Sequence, residues 1–199
     1  MFFVISAIAS LNVNTTFKKY SQVGNRKGIT AQEVAALILQ RSGINDVSIE
    51  YIGGSLTDNY DPTKKVLHLS ESVYNSTSAA AIGVAAHECG HAIQHQVGYA
   101  PLKLRALSVP IANIGSKLSW PIILIGLILG YVELARVGVF LFTFVVLFQL
   151  ITLPVEFNAS KRAIKIVNDL GLTDNSDLDG TKKMLRGLGG SVFGIFLIC

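Results

Sequence analysis

Three of the chain's four histidines fall in residues 84–96, VAAHECGHAIQHQ. His87 and His91 are four residues apart, so on a helix their imidazoles lie about 40° apart in projection and about 6 Å apart along the axis, within reach of one metal ion. Glu88 is turned about 100° from His87, which leaves its carboxylate beside the ion, in a position to take a proton from a bound water. This HExxH spacing predicts a zinc site with His87 and His91 as ligands and Glu88 as the general base.

A catalytic zinc needs a third protein ligand and an open position for water. His95 continues the spacing, but about 12 Å separates it from His87 along a helix, so we expect it to support the ligands as a polar neighbour instead. Glu156 is the predicted third ligand. The other glutamates precede the histidines or lie between two apolar blocks: Glu33, Glu50, Glu71 and Glu133.

The surroundings of Glu156 also favour this role. Ala159, Ser160 and Ala163 follow it at helical spacing, so its face of a helix is otherwise small. Such a face can approach Gly90 closely and bring the carboxylate to the metal. The alternative interpretation of Glu156 is a capping carboxylate at the start of a helix.

The composition predicts a membrane protein. Of the 199 residues, 50% are apolar and 15% are charged, and the mean hydropathy is +0.48. The net charge is +4, but the basic residues are scattered between apolar blocks, which argues against a nucleic-acid partner. We interpret them as signals of membrane topology.

Short elements precede and contain the histidines. Residues 30–33, TAQE, form a predicted capping box, and the helix they begin is expected to stop at Gly43. Residues 47–51 and 66–69 have the pattern of two β-strands, with a turn at residues 58–62. The histidine segment is predicted to be a helix that ends near Gln96, and its candidate N-caps are Asn75 and Ser76.

Two apolar blocks, residues 118–131 and 137–155, are separated only by residues 132–136. They predict a transmembrane hairpin at about 118–155, and the amphipathic residues 101–117 are expected to lie on the membrane surface. Lysines and arginines flank the hairpin on both sides, so the positive-inside rule places residues 18–117 and those after about 156 in the cytoplasm.

The N-terminal residues 1–13, MFFVISAIASLNV, are apolar but short for a membrane span. A signal peptide is the alternative, but no basic region precedes the apolar one. We expect residues 1–15 to be a truncated membrane anchor and residues 16–199 to form a single metallopeptidase domain that includes the hairpin.

Several motifs resemble one family, the bacterial membrane-bound neutral zinc metallopeptidases, often called YugP-like. They are TDNYDP (57–62), LSESVYNS (69–76), AAIGVAAHECGHAIQ (80–94) and LPVEFNASKRA (153–163), and the match covers roughly residues 16–190. The resemblance implies a gluzincin-type site, with one Zn²⁺ per chain held by His87, His91 and Glu156. The implied fold is mainly α, with a zincin-like α+β catalytic part and a transmembrane helical hairpin.

The order of the motifs is similar to that of the HtpX-type membrane proteases. Those proteins usually have aspartate where Ser160 stands, so the resemblance implies a hydrogen bond between Ser160 and a zinc-bound histidine that is weaker than one made by aspartate. Asn158 is a further candidate for supporting the ligands. The family's N-terminal anchor and C-terminal helical region are usually longer than the corresponding segments of this chain.

These observations predict a multi-pass enzyme of a bacterial cell membrane, with its active site facing the cytoplasm. Zinc would polarise the scissile carbonyl and a bound water, and Glu88 would take the water's proton and deliver one to the leaving amine. The expected partners are the lipid bilayer and a peptide or membrane-protein substrate. An edge strand near residues 65–69 is expected to hold the substrate in extended form.

Two other functions compete with this one. A site-2-type intramembrane protease would use Asp179 of the LDG tripeptide 178–180, although the polar run 173–183 around it argues against membrane burial. A membrane scaffold would bind zinc without catalysis, or bind none.

Overall fold

The computed structural model describes residues 2–25, 27–171, 181–183 and 185. This part of the chain is mainly helical with one small sheet, as the sequence predicts. The helices are α1 (Phe2–Tyr20), α2 (Ala31–Arg41), α3 (Ala79–Gln96), α4 (Ala100–Ile128) and α5 (Val132–Asp169), and the strands are β1 (Ser48–Ile52), β2 (Asn59–Asp61) and β3 (Val66–Ser70).

The predicted capping box begins α2. The Thr30 hydroxyl accepts a hydrogen bond from the Glu33 backbone N–H, and the Glu33 carboxylate accepts one from the Thr30 backbone N–H at 2.8 Å. Gly43, two residues after the helix, has a φ of +69°, a conformation that glycine adopts without strain. Both predicted ends of this helix are therefore confirmed, and its apolar face packs on α3.

The sheet has the order β1-β3-β2, with β1 parallel and β2 antiparallel to β3. The predicted turn at residues 58–62 contains the short strand β2, which the sequence analysis missed. The prediction of a free edge near residues 65–69 is wrong, because β3 is the central strand and is hydrogen-bonded on both sides. Leu67 and Leu69 of β3 are fully buried in the core.

Helix α3 is buried along almost its whole length, from Ala79 to Gln94. Its N-cap is Ser78, whose hydroxyl accepts from the Ala81 backbone N–H at 3.2 Å. The predicted caps Asn75 and Ser76 are therefore wrong. Three candidate cap residues lie close together in sequence, and the Ser76 hydroxyl in fact donates to that of Ser78 at 3.0 Å.

Helices α4 and α5 form an antiparallel hairpin, and both are long and apolar enough to cross a membrane. The turn between them is residues 129–131, where Gly130 has a φ of +70°, and the predicted turn residues 132–136 already belong to α5. Residues 101–117 are continuous with the first apolar block in α4, and their position on the membrane surface stays a prediction. The two helices bury small residues of each other, among them Ser119 and Gly126 of α4.

The contact between α4 and α5 is formed by buried, mostly small residues that recur every seven positions along each helix, as in coiled coils. The series are Ala112, Ser119 and Gly126 on α4 and Gly138, Val145, Thr152 and Ala159 on α5. The glycines allow close approach: a Cβ on Gly126 would lie 2.5 Å from the Ala135 backbone nitrogen.

Helix α1 runs past the predicted anchor boundary at residue 15. Val13 and Phe17 are buried in the same core as α2 and α3. The boundary therefore falls within one helix, and the division of the chain into an anchor and one domain stays a prediction.

Candidate metal centre

The structure brings His87 and His91 of α3 together with Glu156 of α5. One ligand atom from each of the three lies within 4.8 Å of the other two. Glu156 Oε2 is 3.1 Å from His87 Nε2 and 3.4 Å from His91 Nε2. All three side chains are buried, and the three residues are at most 8% exposed, so water contributes little to their solvation.

Gly90 sets the distance between the two helices. It lies between the two histidines on α3 and faces the α5 backbone at Ala159. A Cβ built on Gly90 would be 2.7 Å from the Ala159 carbonyl oxygen, closer than real Cβ contacts. The absence of a side chain at residue 90 therefore lets α5 approach until the Glu156 carboxylate reaches the imidazoles.

Ser160 fixes the orientation of His87. Its hydroxyl donates to the Leu185 carbonyl at 3.0 Å and lies 3.1 Å from His87 Nδ1. Because the hydroxyl has only one proton, it accepts from His87 Nδ1–H. The lone pair of His87 Nε2 then faces Glu156, which is the form that binds a metal.

Gln94 does the same for His91, and the sequence analysis missed it. Its amide nitrogen donates to the Val155 carbonyl at 2.8 Å and to Asn158 Oδ1 at 3.1 Å. The amide oxygen therefore faces His91 Nδ1, 3.0 Å away, and accepts its proton. A glutamine three residues after a predicted ligand, and therefore on the same helix face, is the sequence signal that would have identified it.

This donor set fits a zinc ion. With both Nδ1 atoms engaged as donors, the Nε2 atoms of His87 and His91 and the Oε2 atom of Glu156 are three acceptors that face one another. Three converging acceptors need a proton or a cation between them, and two imidazoles with one carboxylate are the ligands of many catalytic zinc sites.

The protonation of His91 agrees with this interpretation. In the metal-free protein burial lowers the pKa of His91, but the hydrogen bond and the negative charge of Glu156 more than offset burial, so that the pKa is raised above its ordinary value. A proton and a metal ion compete for the same Nε2 lone pair.

Glu88 is partly buried beside the two imidazoles. Burial raises the pKa of its carboxyl above the ordinary value, although the nearby His91 and His87 oppose the shift. Among the residues that the structure describes, no hydrogen-bond donor holds this carboxylate. A carboxyl of this kind is suited to accept a proton and to release it again.

Arg105 of α4 completes the cluster. Its Nη1 donates to Glu156 Oε1 at 2.8 Å, so the two oxygens of this carboxylate have different partners. From the sequence, Arg105 is interpreted only as a topology signal, because nothing local distinguishes it from the other basic residues near the hairpin.

The other predicted site residues have hydrogen-bond partners away from the three candidate ligands or lie outside the described residues. Asn158 reaches His91 only through Gln94, and its Oδ1 also accepts from Arg162 Nε at 2.8 Å. His95 hydrogen-bonds the Tyr60 hydroxyl through its Nδ1 at 2.9 Å. Asp179, the ligand in the alternative function, lies outside the described residues.

Comparisons with known proteins agree with the predicted resemblance. The family model described as "Putative neutral zinc metallopeptidase" matches residues 1–188. The chain is 45% identical over 181 residues to the "Putative membrane protease YugP" of Bacillus subtilis (strain 168), an alignment that covers 91% of this chain and 80% of that protein. No solved structure matches, so the zincin-like classification and the similarity to HtpX-type proteases stay predictions. The chain therefore belongs to the neutral zinc metallopeptidase family.

Proposed function

We propose that this protein is a membrane-embedded zinc metalloendopeptidase with one Zn²⁺ per chain, held by His87, His91 and Glu156. The observation that supports this most directly is the convergence of two imidazole nitrogens and one carboxylate oxygen in a buried site. Zinc bound there supplies Lewis-acid chemistry, because it lowers the pKa of water and polarises a carbonyl oxygen.

In this proposal the general base is Glu88. Its carboxylate takes a proton from the attacking water and later delivers a proton to the nitrogen of the leaving amine. Ser160 and Gln94 hold the two imidazoles with Nε2 directed to the centre, and the burial of the site limits the access of bulk water. The chain's own residues thus orient the ligands and move the proton.

The position of Glu156 on α5 suggests the substrate class. The carboxylate follows directly on the apolar part of a helix that is long enough to cross a membrane. The relative YugP carries the name of a membrane protease. We propose that the site lies at the cytoplasmic face, where lysines and arginines flank the hairpin, and that the enzyme cleaves membrane proteins or peptides there.

The test uses protein purified in detergent, with fluorescently labelled casein as the substrate. Glu88→Gln is expected to retain about one zinc per chain and to lose activity by about 10²- to 10⁴-fold, because only the proton acceptor is removed. Glu133→Gln is the matched control, since this exposed carboxylate pairs with Arg136 at the far end of the hairpin.

Two outcomes would contradict the proposal. Equal casein cleavage by the wild type and Glu88→Gln would indicate that Glu88 is not the base. Wild-type protein without zinc, or Glu156→Gln protein with undiminished zinc, would show that the three residues are not the ligand set.

A further inference from the structure

The two oxygens of the Glu156 carboxylate have separate partners. Oε2 faces His87 and His91, whereas Oε1 accepts a hydrogen bond from Arg105 Nη1 at 2.8 Å. The Arg105 side chain is 25% exposed and the Glu156 side chain is 4% exposed, so this contact is largely shielded from water. A charge-assisted hydrogen bond of this kind is short and strongly directional.

The hairpin positions Arg105 for this contact. Arg105 lies seven residues before Ala112, so it is the first member of the seven-residue series that continues through Ser119 and Gly126. Those residues are buried against α5, so the same face of α4 carries Arg105 to the level of Glu156. The packing of the two candidate membrane helices therefore places the guanidinium on the side of the Glu156 carboxylate that faces away from the histidines, so that one oxygen is engaged by Arg105 and the other is left to the histidines.

We propose that Arg105 is a positioning residue that makes Glu156 a one-oxygen metal ligand. This inference rests on the proposed zinc site. A carboxylate can bind a metal through one oxygen or through both, and a catalytic zinc needs one position left open. Oε1 cannot turn to the ion without breaking its hydrogen bond to Arg105, so the bond keeps the open position available.

A different role would be neutralisation of a buried negative charge. Neutralisation would not depend on how the carboxylate is oriented. The loss of Arg105 would then change the stability of the protein without changing the number of Glu156 oxygens that bind the metal. The number of bound oxygens therefore distinguishes positioning from simple charge balance.

Infrared difference spectra on zinc binding, recorded with ¹³C-labelled glutamate at saturating zinc, measure this number. The separation between the symmetric and antisymmetric carboxylate stretches is wide for one bound oxygen and narrow for two. We expect a wide separation in the wild type, a narrow one in Arg105→Leu, and a wide one again in Arg105→Lys. Lys103→Leu, which removes an exposed cation from the same helix, is expected to match the wild type.

Casein hydrolysis gives a second measurement. Arg105→Leu is expected to lower kcat by about 10- to 100-fold with little change in KM, and Arg105→Lys to recover part of the loss. If Arg105→Leu does not fold, Arg105→Gln replaces it, because its shorter, uncharged side chain also loses the contact.

The same wide separation in the wild type and in the Arg105 variants, or a narrow one in the wild type, would overturn the positioning role while leaving the zinc site intact. The absence of zinc from the wild type would instead overturn the proposed function, and the positioning role with it.

Discussion

Replacing Gly90 with alanine tests whether the close contact of α3 and α5 builds the metal centre. The added Cβ would lie 2.7 Å from the Ala159 carbonyl oxygen and 3.1 Å from two further backbone atoms of Ala159, whereas ordinary contact begins at 3.4 Å. Backbone atoms in the middle of a helix cannot turn aside, so α5 must retreat by about 0.7 Å at this point. Glu156 is three residues away on the same helix and moves with it.

The size of the effect follows from two opposing terms. Alanine in place of glycine stabilises a helix interior by about 1 kcal/mol, whereas an overpacked core costs about 1–3 kcal/mol. We therefore expect the free energy of unfolding of the metal-free protein to fall by up to about 2 kcal/mol. Metal–ligand distances tolerate shifts of only about 0.2 Å, so we expect zinc affinity to fall by about 10-fold or more.

The assays are competition with a chromophoric chelator for zinc affinity and denaturant unfolding of the metal-free protein. Gly53→Ala is the matched control, because a Cβ there meets nothing within 4 Å. Gly90→Ala protein with unchanged zinc affinity and greater stability would refute the reasoning, since helix propensity would then be the only effect of the methyl group.

Two further substitutions separate support of the metal from support of the fold. Gln94→Leu removes the acceptor for His91 Nδ1–H, so we expect zinc affinity, measured by chelator competition, to fall by about 10- to 100-fold. The control is Gln96→Leu, at an exposed position of the same helix. Equal zinc affinities of these two variants would contradict the role of Gln94. Thr30→Ala removes the capping box of α2, so we expect the free energy of unfolding, measured by denaturant titration, to fall by about 1 kcal/mol. Zinc affinity is expected to stay unchanged, and a change in it would contradict a purely local effect.

Local spacing along the chain was sufficient to predict part of this protein. A capping box involves residues three apart, and two histidines four apart share one helix face wherever the helix lies. The long apolar blocks likewise predicted the two candidate membrane helices from length and hydropathy alone. These features depend on neighbours within a turn or two, so the sequence contains nearly all the information about them.

Other local features were predicted incorrectly because the competing choices are close in energy. Ser78, rather than Asn75 or Ser76, begins α3, since several residues here have side chains that can cap a helix. The three-residue strand β2 has too little pattern to be distinguished from a turn, and only its pairing with β3 stabilises it as a strand. The prediction of a free edge at β3 was wrong because it did not include β2, which pairs with that edge.

The sequence by itself determined the residue types of the centre, two imidazoles and a nearby carboxylate at helical spacing, together with the apolar length of α4 and α5. Elimination among the glutamates also indicated Glu156, but only the tertiary structure brings its carboxylate to the histidines 69 and 65 residues away, pairs His91 with Gln94 rather than His95, and joins Arg105 to one carboxylate oxygen. The physical reason is that such partners depend on the packing of α3, α4 and α5, in which Gly90 and the small residues of the hairpin set the distances between helix axes.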